Sequence, residues 1–425
     1  MKFYIETYGC QMNVSDSELV RSVLAAAGWE EASAPDEADL LLFNTCSVRQ
    51  HAEDRVLGRI SNEKRRKLER PGLKIGVLGC MAQRMGKRLL EEDTGIDFVA
   101  GVDQYRDLPR LLASESGISN ELDPLQIYPG LQPRHQDKSC AFVTVMRGCD
   151  NFCSYCIVPY VRGRERSLPA DDIYNEVRRC GEEGRKDVTL LGQNVNSYRY
   201  GDTGFPQLLS RLDGIDSIYR LRFITSHPKD LSDGLIDVMA GGKRICRHIH
   251  LPLQSGDDTV LRAMNRNYTY EHYRGLVEKL RKAMPDIAIT TDIIAGFPGE
   301  TDTMFDNTVA AMRDIGFDYS FCFKYSPREG TVAASLPDQV PEEIRLKRLQ
   351  KIVELQREIT LEKFKAQIGT EIEVYVEGWS RKSNRQVSGK TSDYKIAVLS
   401  GGEKDMGTLK RARVVRATAG TLICE

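Results

Sequence analysis

Strand-like and helix-like segments alternate through most of this 425-residue chain. KFYIETYG, DLLLFNTC, KIGVLGC and FVAGVDQ read as strands, and SDSELVRSVLAAAGW, VRQHAEDRVLGRISNEKRRKLER and RMGKRLLEED between them read as helices. Such alternation restricts the fold, because neighbouring parallel strands need a crossover and a helix supplies it. Residues 1–125 are therefore expected to form an α/β domain on a parallel sheet. SGISNELDPLQIYPGLQPRHQDK (116–138) is rich in Gly, Pro, Ser and Asn. It reads as a linker or strap, with the linker proper at 126–138.

A second alternation begins at CAFVTVMRGC. AFVTVMRG, DVTLLGQNV, YRLRFIT, RHIHLPLQ, AITTDIIAG and YSFCFKYS give six candidate strands, separated by helical stretches such as ADDIYNEVRRCGEEG and YEHYRGLVEKLRKAM. Residues 139–368 are thus expected to form a partial (β/α)6 barrel with its site at the C-terminal strand ends. They close with a long amphipathic helix opened by Pro341 and ended by Gly369. Residues 369–425 change to short alternating strands, the pattern of a small β-barrel of the oligonucleotide-binding type. The expected fold class is α/β with this β-barrel appended.

Cysteines sit at telling places in this frame. In MRGCDNFCSYCIVP, Cys149, Cys153 and Cys156 have C-x3-C-x2-C spacing. A cubane iron–sulfur cluster takes four ligands, so three thiolates leave one iron open, the usual mark of chemistry rather than structure. Zinc fits less well, because no second C-x2-C pair exists. Disulfides fit poorly in a long chain with eleven cysteines and no secretory signal. Cys10, Cys46 and Cys80, separated by 36 and 34 residues, each end a predicted strand. Ligands of parallel sheets bind at that edge, so these three are candidates for a second three-cysteine site, against the plainer reading of small buried residues. Cys140, Cys180, Cys246, Cys322 and Cys424 lack ligand spacing and read as apolar.

Composition bounds the rest. No run of 18 apolar residues exists, so no membrane span is expected, and the cysteine usage suits a reducing cytosol. A net charge of −1 points to no global nucleic-acid affinity, but residues 370–425 hold ten Lys or Arg against seven Asp or Glu.

MRGCDNFCSYCIVPYVRGRERS resembles the radical S-adenosylmethionine enzymes. With ETYGCQMNVSDSE, NTCSVR and LGCMAQR it makes the whole chain similar to the methylthiotransferases of that group, and to their branch acting on isopentenyladenosine in tRNA. The resemblance implies two 4Fe–4S clusters, held by Cys149, Cys153 and Cys156 and by Cys10, Cys46 and Cys80. It implies two S-adenosylmethionine molecules per turnover, one methylating a sulfur at the N-terminal cluster and one yielding a 5′-deoxyadenosyl radical. It implies a C-terminal RNA-binding (TRAM) domain, a tRNA anticodon stem-loop as substrate, a reductant protein such as a flavodoxin or ferredoxin, a sulfur-supplying iron–sulfur protein, and a cytoplasmic monomer. Gln193, Asn194, Asn196, Ser226, Gln254, Ser255, Gly296 and Pro298, at predicted strand ends, are then candidates for cofactor binding, although each also suits a helix cap or a turn. Arg162, Arg164 and Arg166, with Trp379, Arg381, Lys382, Arg385 and Lys390, are candidates for RNA contact. Methylthiolation of threonylcarbamoyladenosine or of a ribosomal-protein aspartate is the alternative within the class. A non-catalytic iron–sulfur RNA-binding protein is the alternative outside it, and it would need four cysteines per site.

Overall fold

Strand register does most to shape the N-terminal half. The computed structural model describes all of the chain except residues 48–49, 92–93, 115–116 and 382, and only the backbone of 50–52, 54 and 384. Strands Lys2–Tyr8, Leu40–Thr45, Lys74–Gly79 and Phe98–Ala100 pair in parallel, extended by Glu30–Glu31 on one edge and Gly117–Ser119 on the other. Tyr8 is level with Thr45, and Thr45 with Gly79. Alternate side chains enter opposite cores: Leu40 and Leu42 pack on the Gln11–Ala26 helix side, Leu41 and Phe43 on the Gln50–Glu69 side. A strand covered on both faces reads as a continuous apolar run, as LLLF does.

The 117–138 segment is a strap. It places buried Tyr128 in a stack on Tyr105 (5.6 Å between ring centroids) and buries His135 at its far end.

Cys140–Thr144, Asp187–Leu191, Arg220–Phe223, His248–His250, Ala288–Ala295 and Tyr319–Lys324 are the six barrel strands. They form two parallel three-stranded sheets linked by a bridge from Leu221 to Ile245. The first and last strands do not pair, so the barrel is open on one side. Its main apolar core lies between strands and crossover helices, with Val188, Leu190, Ile249 and Ile289 facing outward into it. The Glu342–Lys365 helix packs on the last strand.

Residues from 371 onward form a closed five-stranded barrel around Val374, Val376, Val387 and Leu399. It docks where the large barrel's strands begin. Tyr375 OH donates to Ser139 O (2.7 Å), Arg222 donates to Thr391 O (2.8 Å) and Ser392 O (3.1 Å), and Tyr394 stacks on His248 at 4.6 Å. Among the described residues no helix is long and apolar enough to cross a membrane.

Candidate active site

The level strand ends of the N-terminal sheet deliver Cys10, Cys46 and Cys80 to one edge. All are free thiols. Cys10 precedes the Gln11–Ala26 helix, Cys46 follows its strand, and Cys80 begins the Cys80–Met85 helix. Gly9 lets the first approach the second: it has φ +147°, and a Cβ there would lie 2.6 Å from Cys46 Cβ. Asn13 fastens the loop. Its Oδ1 accepts from Cys10 N and Sγ (both 3.4 Å), and its Nδ2 donates to Asn44 Oδ1 and Thr45 O (both 3.1 Å). A hydrogen bond with Cys46, helped by the Arg162 charge and opposed by burial, draws the Cys10 thiol down to about 6. Burial raises Cys80 despite the same arginine.

The second triad wraps a loop pinned from several sides. Cys149 N donates to Gly163 O (3.1 Å), Ser154 N to Met264 O (3.0 Å), and Asn265 Nδ2 to Phe152 O (3.0 Å). Gln193 accepts from Gly148 N. Arg266 Nη1 donates to Cys153 Sγ (3.4 Å). Phe152, inside the C-x3-C loop, has φ +45°, the kind of backbone strain that collects at functional sites. Burial lifts the Cys149 thiol to about 11, and burial with the neighbouring Cys153 and Cys149 lifts Cys156 to about 12. Crowded buried thiols resist ionisation until a cation joins them, and a metal cluster is such a cation. The donor set therefore fits an iron–sulfur cluster.

Above the barrel strands, Asn194 Oδ1, Ser226 Oγ and Gln254 Oε1 are buried without a hydrogen-bonding partner. Thr225 and Gln254 both have φ +70°. Unspent polar atoms on strained backbone at the strand ends fit a polar cofactor.

One apolar cluster links the two cysteine-bearing regions. Cys80 packs with Val102 on Ile157 and Val161, and Ile157 is the residue after Cys156.

Residues 2–101 match Uncharacterized protein family UPF0004, residues 143–312 the Radical SAM superfamily, and residues 365–425 the TRAM domain. The chain is 44% identical over 422 residues to a tRNA-2-methylthio-N(6)-dimethylallyladenosine synthase from Carboxydothermus hydrogenoformans, covering 97% of this chain and 96% of that protein. It is 45% identical over 440 residues to the synthase of the same name from Porphyromonas gingivalis, covering 100% and 94%. The chain belongs to this synthase family. In fold it is also similar to a radical S-adenosylmethionine methyltransferase from Kitasatospora setae (TM-score 0.59, 15% identity, 76% of this chain and 72% of that one). A cobalamin-dependent S-adenosylmethionine radical enzyme gives a TM-score of 0.54 at 9% identity, over 84% and 56%.

Several residues of this synthase-family chain lie elsewhere than the sequence suggests. Arg162 and Arg166 are 3% and 9% exposed and do not present their guanidinium groups on the surface. Arg162 pairs with Asp16 (2.8 Å) and Arg166 with Asp103 (2.8 Å), joining barrel to N-terminal domain. Only Arg164 of the three is exposed, paired with Asp150 (3.0 Å) and lying over the Phe152 ring. Asn196 is not free for a cofactor: its amide exchanges hydrogen bonds with the backbone of His227 (2.9 and 2.8 Å). Ser255 is fully buried and spent on Thr308 (3.1 Å) and Asp257 N (3.2 Å). Gly296 donates to Glu300 Oε1 (2.8 Å) and backs onto Arg345, with Pro298 buried beside it. Lys390 is bound to Glu377 (2.7 Å) beside the barrel and is not a free cation. Trp379, Arg381 and Arg385 are exposed, and Lys382 lies outside the described residues.

Sequence reading missed Asn13, Asp16, Arg147 and Arg266. Asn13 and Asp16 left one signal, a polar run (NVSDSE) on helix turns that need a buried face. Arg147 and Arg266 left none.

Proposed function

We propose that this chain replaces the C2 hydrogen of N(6)-isopentenyladenosine, beside the anticodon of tRNA, with a methylthio group. The observation that supports the reading is the packing of Cys80, one of three cysteines at the edge of the N-terminal sheet, against Ile157, the residue after Cys156. Three thiols per site suit two cubane clusters, each leaving one iron for a ligand from outside the protein. When bound, such clusters would supply the electron that cleaves the sulfonium of S-adenosylmethionine and a metal site for the inserted sulfur.

The chain itself binds, orients and excludes water. Cys149, Cys153 and Cys156 would hold one cluster, with Arg266 donating to Cys153 Sγ, and Cys10, Cys46 and Cys80 would hold the other, with Asn13 fixing the Cys10 loop. Asn194, Ser226 and Gln254 offer the cofactor their unspent polar atoms. Trp379, Arg381 and Arg385 offer the anticodon loop an exposed ring and two cations. The target base must leave its stack to reach the cysteine sites. A flavodoxin or ferredoxin would deliver the electron and an iron–sulfur protein the sulfur, in the cytoplasm and to a monomer.

Anaerobically reconstituted protein, given S-adenosylmethionine, a reductant and tRNA lacking the methylthio group, should yield 2-methylthio-N(6)-isopentenyladenosine by nucleoside mass spectrometry. Cys153→Ala should form no 5′-deoxyadenosine. Cys46→Ala should keep that cleavage and lose the product. Full product from Cys46→Ala refutes the two-site reading.

A further inference from the structure

Tyr319–Lys324, the last strand of the large barrel, pairs with a neighbour on one side only, and its other edge is open. Open edges are ordinarily blunted by charge, by proline or by a covering element. This one carries aromatic rings instead. Tyr319 and Phe321, on the same face, are 46% and 41% exposed, with ring centroids 5.1 Å apart. Ile249 faces the outer core, so its neighbour His250 faces the barrel interior, and Phe321 meets the His250 ring at 5.9 Å. The two rings therefore stand at the mouth where the barrel does not close.

The Glu342–Lys365 helix supplies the opposite wall. Val353, Gln356, Arg357 and Ala419 complete a groove of about 490 Å³ along the strand. Ala419 lies in the turn between Leu409–Ala417 and Leu422–Cys424, so the groove runs up to the TRAM domain. Gln356, on the groove floor, is 4% exposed. Its Nε2 donates to Phe317 O (2.9 Å) and to Thr360 Oγ1 (3.0 Å), and Thr360 Oγ1 donates to Asp318 O (2.9 Å). That network fixes the amide, because the reverse orientation would set its oxygen against a carbonyl. Gln356 Oε1 is left buried without a partner, a cost that an N–H from a ligand would remove. Arg357 beside it is exposed and has no carboxylate partner among the described residues.

Two exposed rings, an unused acceptor and a free guanidinium are the parts that hold an unstacked nucleotide. The rings take the face of the base, the acceptor its N–H edge and the cation its phosphate. Continuity with the TRAM domain favours RNA over an extended peptide paired to the free strand edge. Position decides which nucleotide. The strand has six residues, and at about 3.3 Å per step it rises about 17 Å from Tyr319 to the strand ends near Asn194, Ser226 and Gln254. At about 3.4 Å per stacked nucleotide this is up to about five nucleotides, a span within one hairpin loop. The base in the groove is thus a different one from the base that reacts.

We propose that the groove between Tyr319–Phe321 and Gln356–Arg357 holds a second unstacked nucleotide of the tRNA anticodon loop while the target base occupies the active site. This rests on the reading of tRNA as substrate. The groove is a positioning site: it fixes the loop at a point between the TRAM domain and the cysteine sites, and so sets which base reaches them.

The test uses the reconstituted full chain and an anticodon stem-loop carrying 2-aminopurine at one loop position at a time, a base whose fluorescence falls when it stacks on an aromatic ring. One position other than the target should be quenched by the native protein and not by Phe321→Ala. Phe321→Ala should weaken stem-loop binding by about tenfold or more, within what one stacked base contributes, and Phe321→Trp should restore it. Arg357→Glu should lower the salt dependence of binding by about one phosphate contact. S-adenosylmethionine cleavage without RNA should stay native in all three. If Phe321→Ala fails to fold, Tyr319→Ala and Arg357→Glu carry the test, since both alter surface side chains. Native affinity, quenching and salt dependence in the variants overturn the proposal alone. Native RNA binding with loss of cleavage driven by a flavodoxin, but not by a chemical reductant, would make the groove a protein-docking surface and also overturn it. A native protein that binds no stem-loop would overturn the tRNA reading and the proposal with it.

Discussion

Replacing His135 by glutamine should unpin the N-terminal domain from the barrel, with a characteristic pH dependence. The imidazole is fully enclosed in the strap. Its Nδ1 meets Glu18 Oε2 at 2.8 Å, on the first helix, and its Nε2 meets Glu176 Oε1 at 2.7 Å, on the Ala170–Glu182 helix. His135, Glu176 and Cys180 are close enough for a metal site, but both ring nitrogens are already committed to carboxylates, so the cluster is an ionic rivet. Burial disfavours the imidazolium, yet hydrogen bonds involving Cys180, Glu176 and Glu18 outweigh it and lift His135 from 6.5 to about 11. Removing one partner of a buried ion pair costs about 3–5 kcal/mol. A raised histidine pKa means the stabilisation is complete below pH 6.5 and is lost as pH climbs toward the folded value. The loss is at most about 1.4 kcal/mol per pH unit, so no more than about 3 kcal/mol between pH 6.5 and 8.5. Glu176 works the other way: burial would raise it, but His135 and Arg179 hold it below 4.5, so its share is present above pH 4.5 and lost on acidification. The stability gap between native protein and His135→Gln should therefore be widest between pH 4.5 and 6.5 and narrow toward 8.5. Thermal unfolding across that range, with hydrogen exchange on the strap, measures it. A gap that is flat or widens toward pH 8.5 would refute the charged rivet.

Four further expectations follow from the same geometry. Gly148→Ala puts a Cβ 2.0 Å from Arg164 O at a φ of +80°; it should cost about 1–2 kcal/mol in backbone strain and about 1–3 in overpacking, seen as lost 5′-deoxyadenosine formation and roughly half the iron. Arg222→Ala strands buried Asp187 (3.0 Å) and cuts two bonds to the C-terminal barrel; a destabilisation of about 3–5 kcal/mol should appear as faster proteolysis around 392–394 with S-adenosylmethionine cleavage retained. Trp379→Ala should weaken tRNA binding by about 1–3 kcal/mol if a base stacks there. Arg381→Glu should reduce the salt dependence of that binding by about one or two phosphate contacts; filter binding at several salt concentrations reads both.

The order of elements and the two cysteine triads were legible in the chain because both are local signals. LLLF between turn signals reads as a strand buried on both faces, and C-x3-C-x2-C as a ligand-bearing loop. That Cys10, Cys46 and Cys80 end strands was also readable. That they meet depended on Tyr8, Thr45 and Gly79 pairing level, which spacing alone does not fix. The alternating arginines of VRGRERS show the limit. Nothing in that run distinguishes Arg164, which faces solvent, from Arg162 and Arg166, which do not. The difference is made by Asp16 and Asp103, distant in sequence, which the docked N-terminal domain brings within 2.8 Å. Asn196 and Ser255 tell the same story, since their partners His227 and Thr308 come from other segments. Secondary structure and ligand spacing are properties of neighbours along the chain. The fate of a buried charge or amide depends on which surfaces meet, and only the packed molecule sets that, because an unpaired polar group costs too much to bury anywhere else.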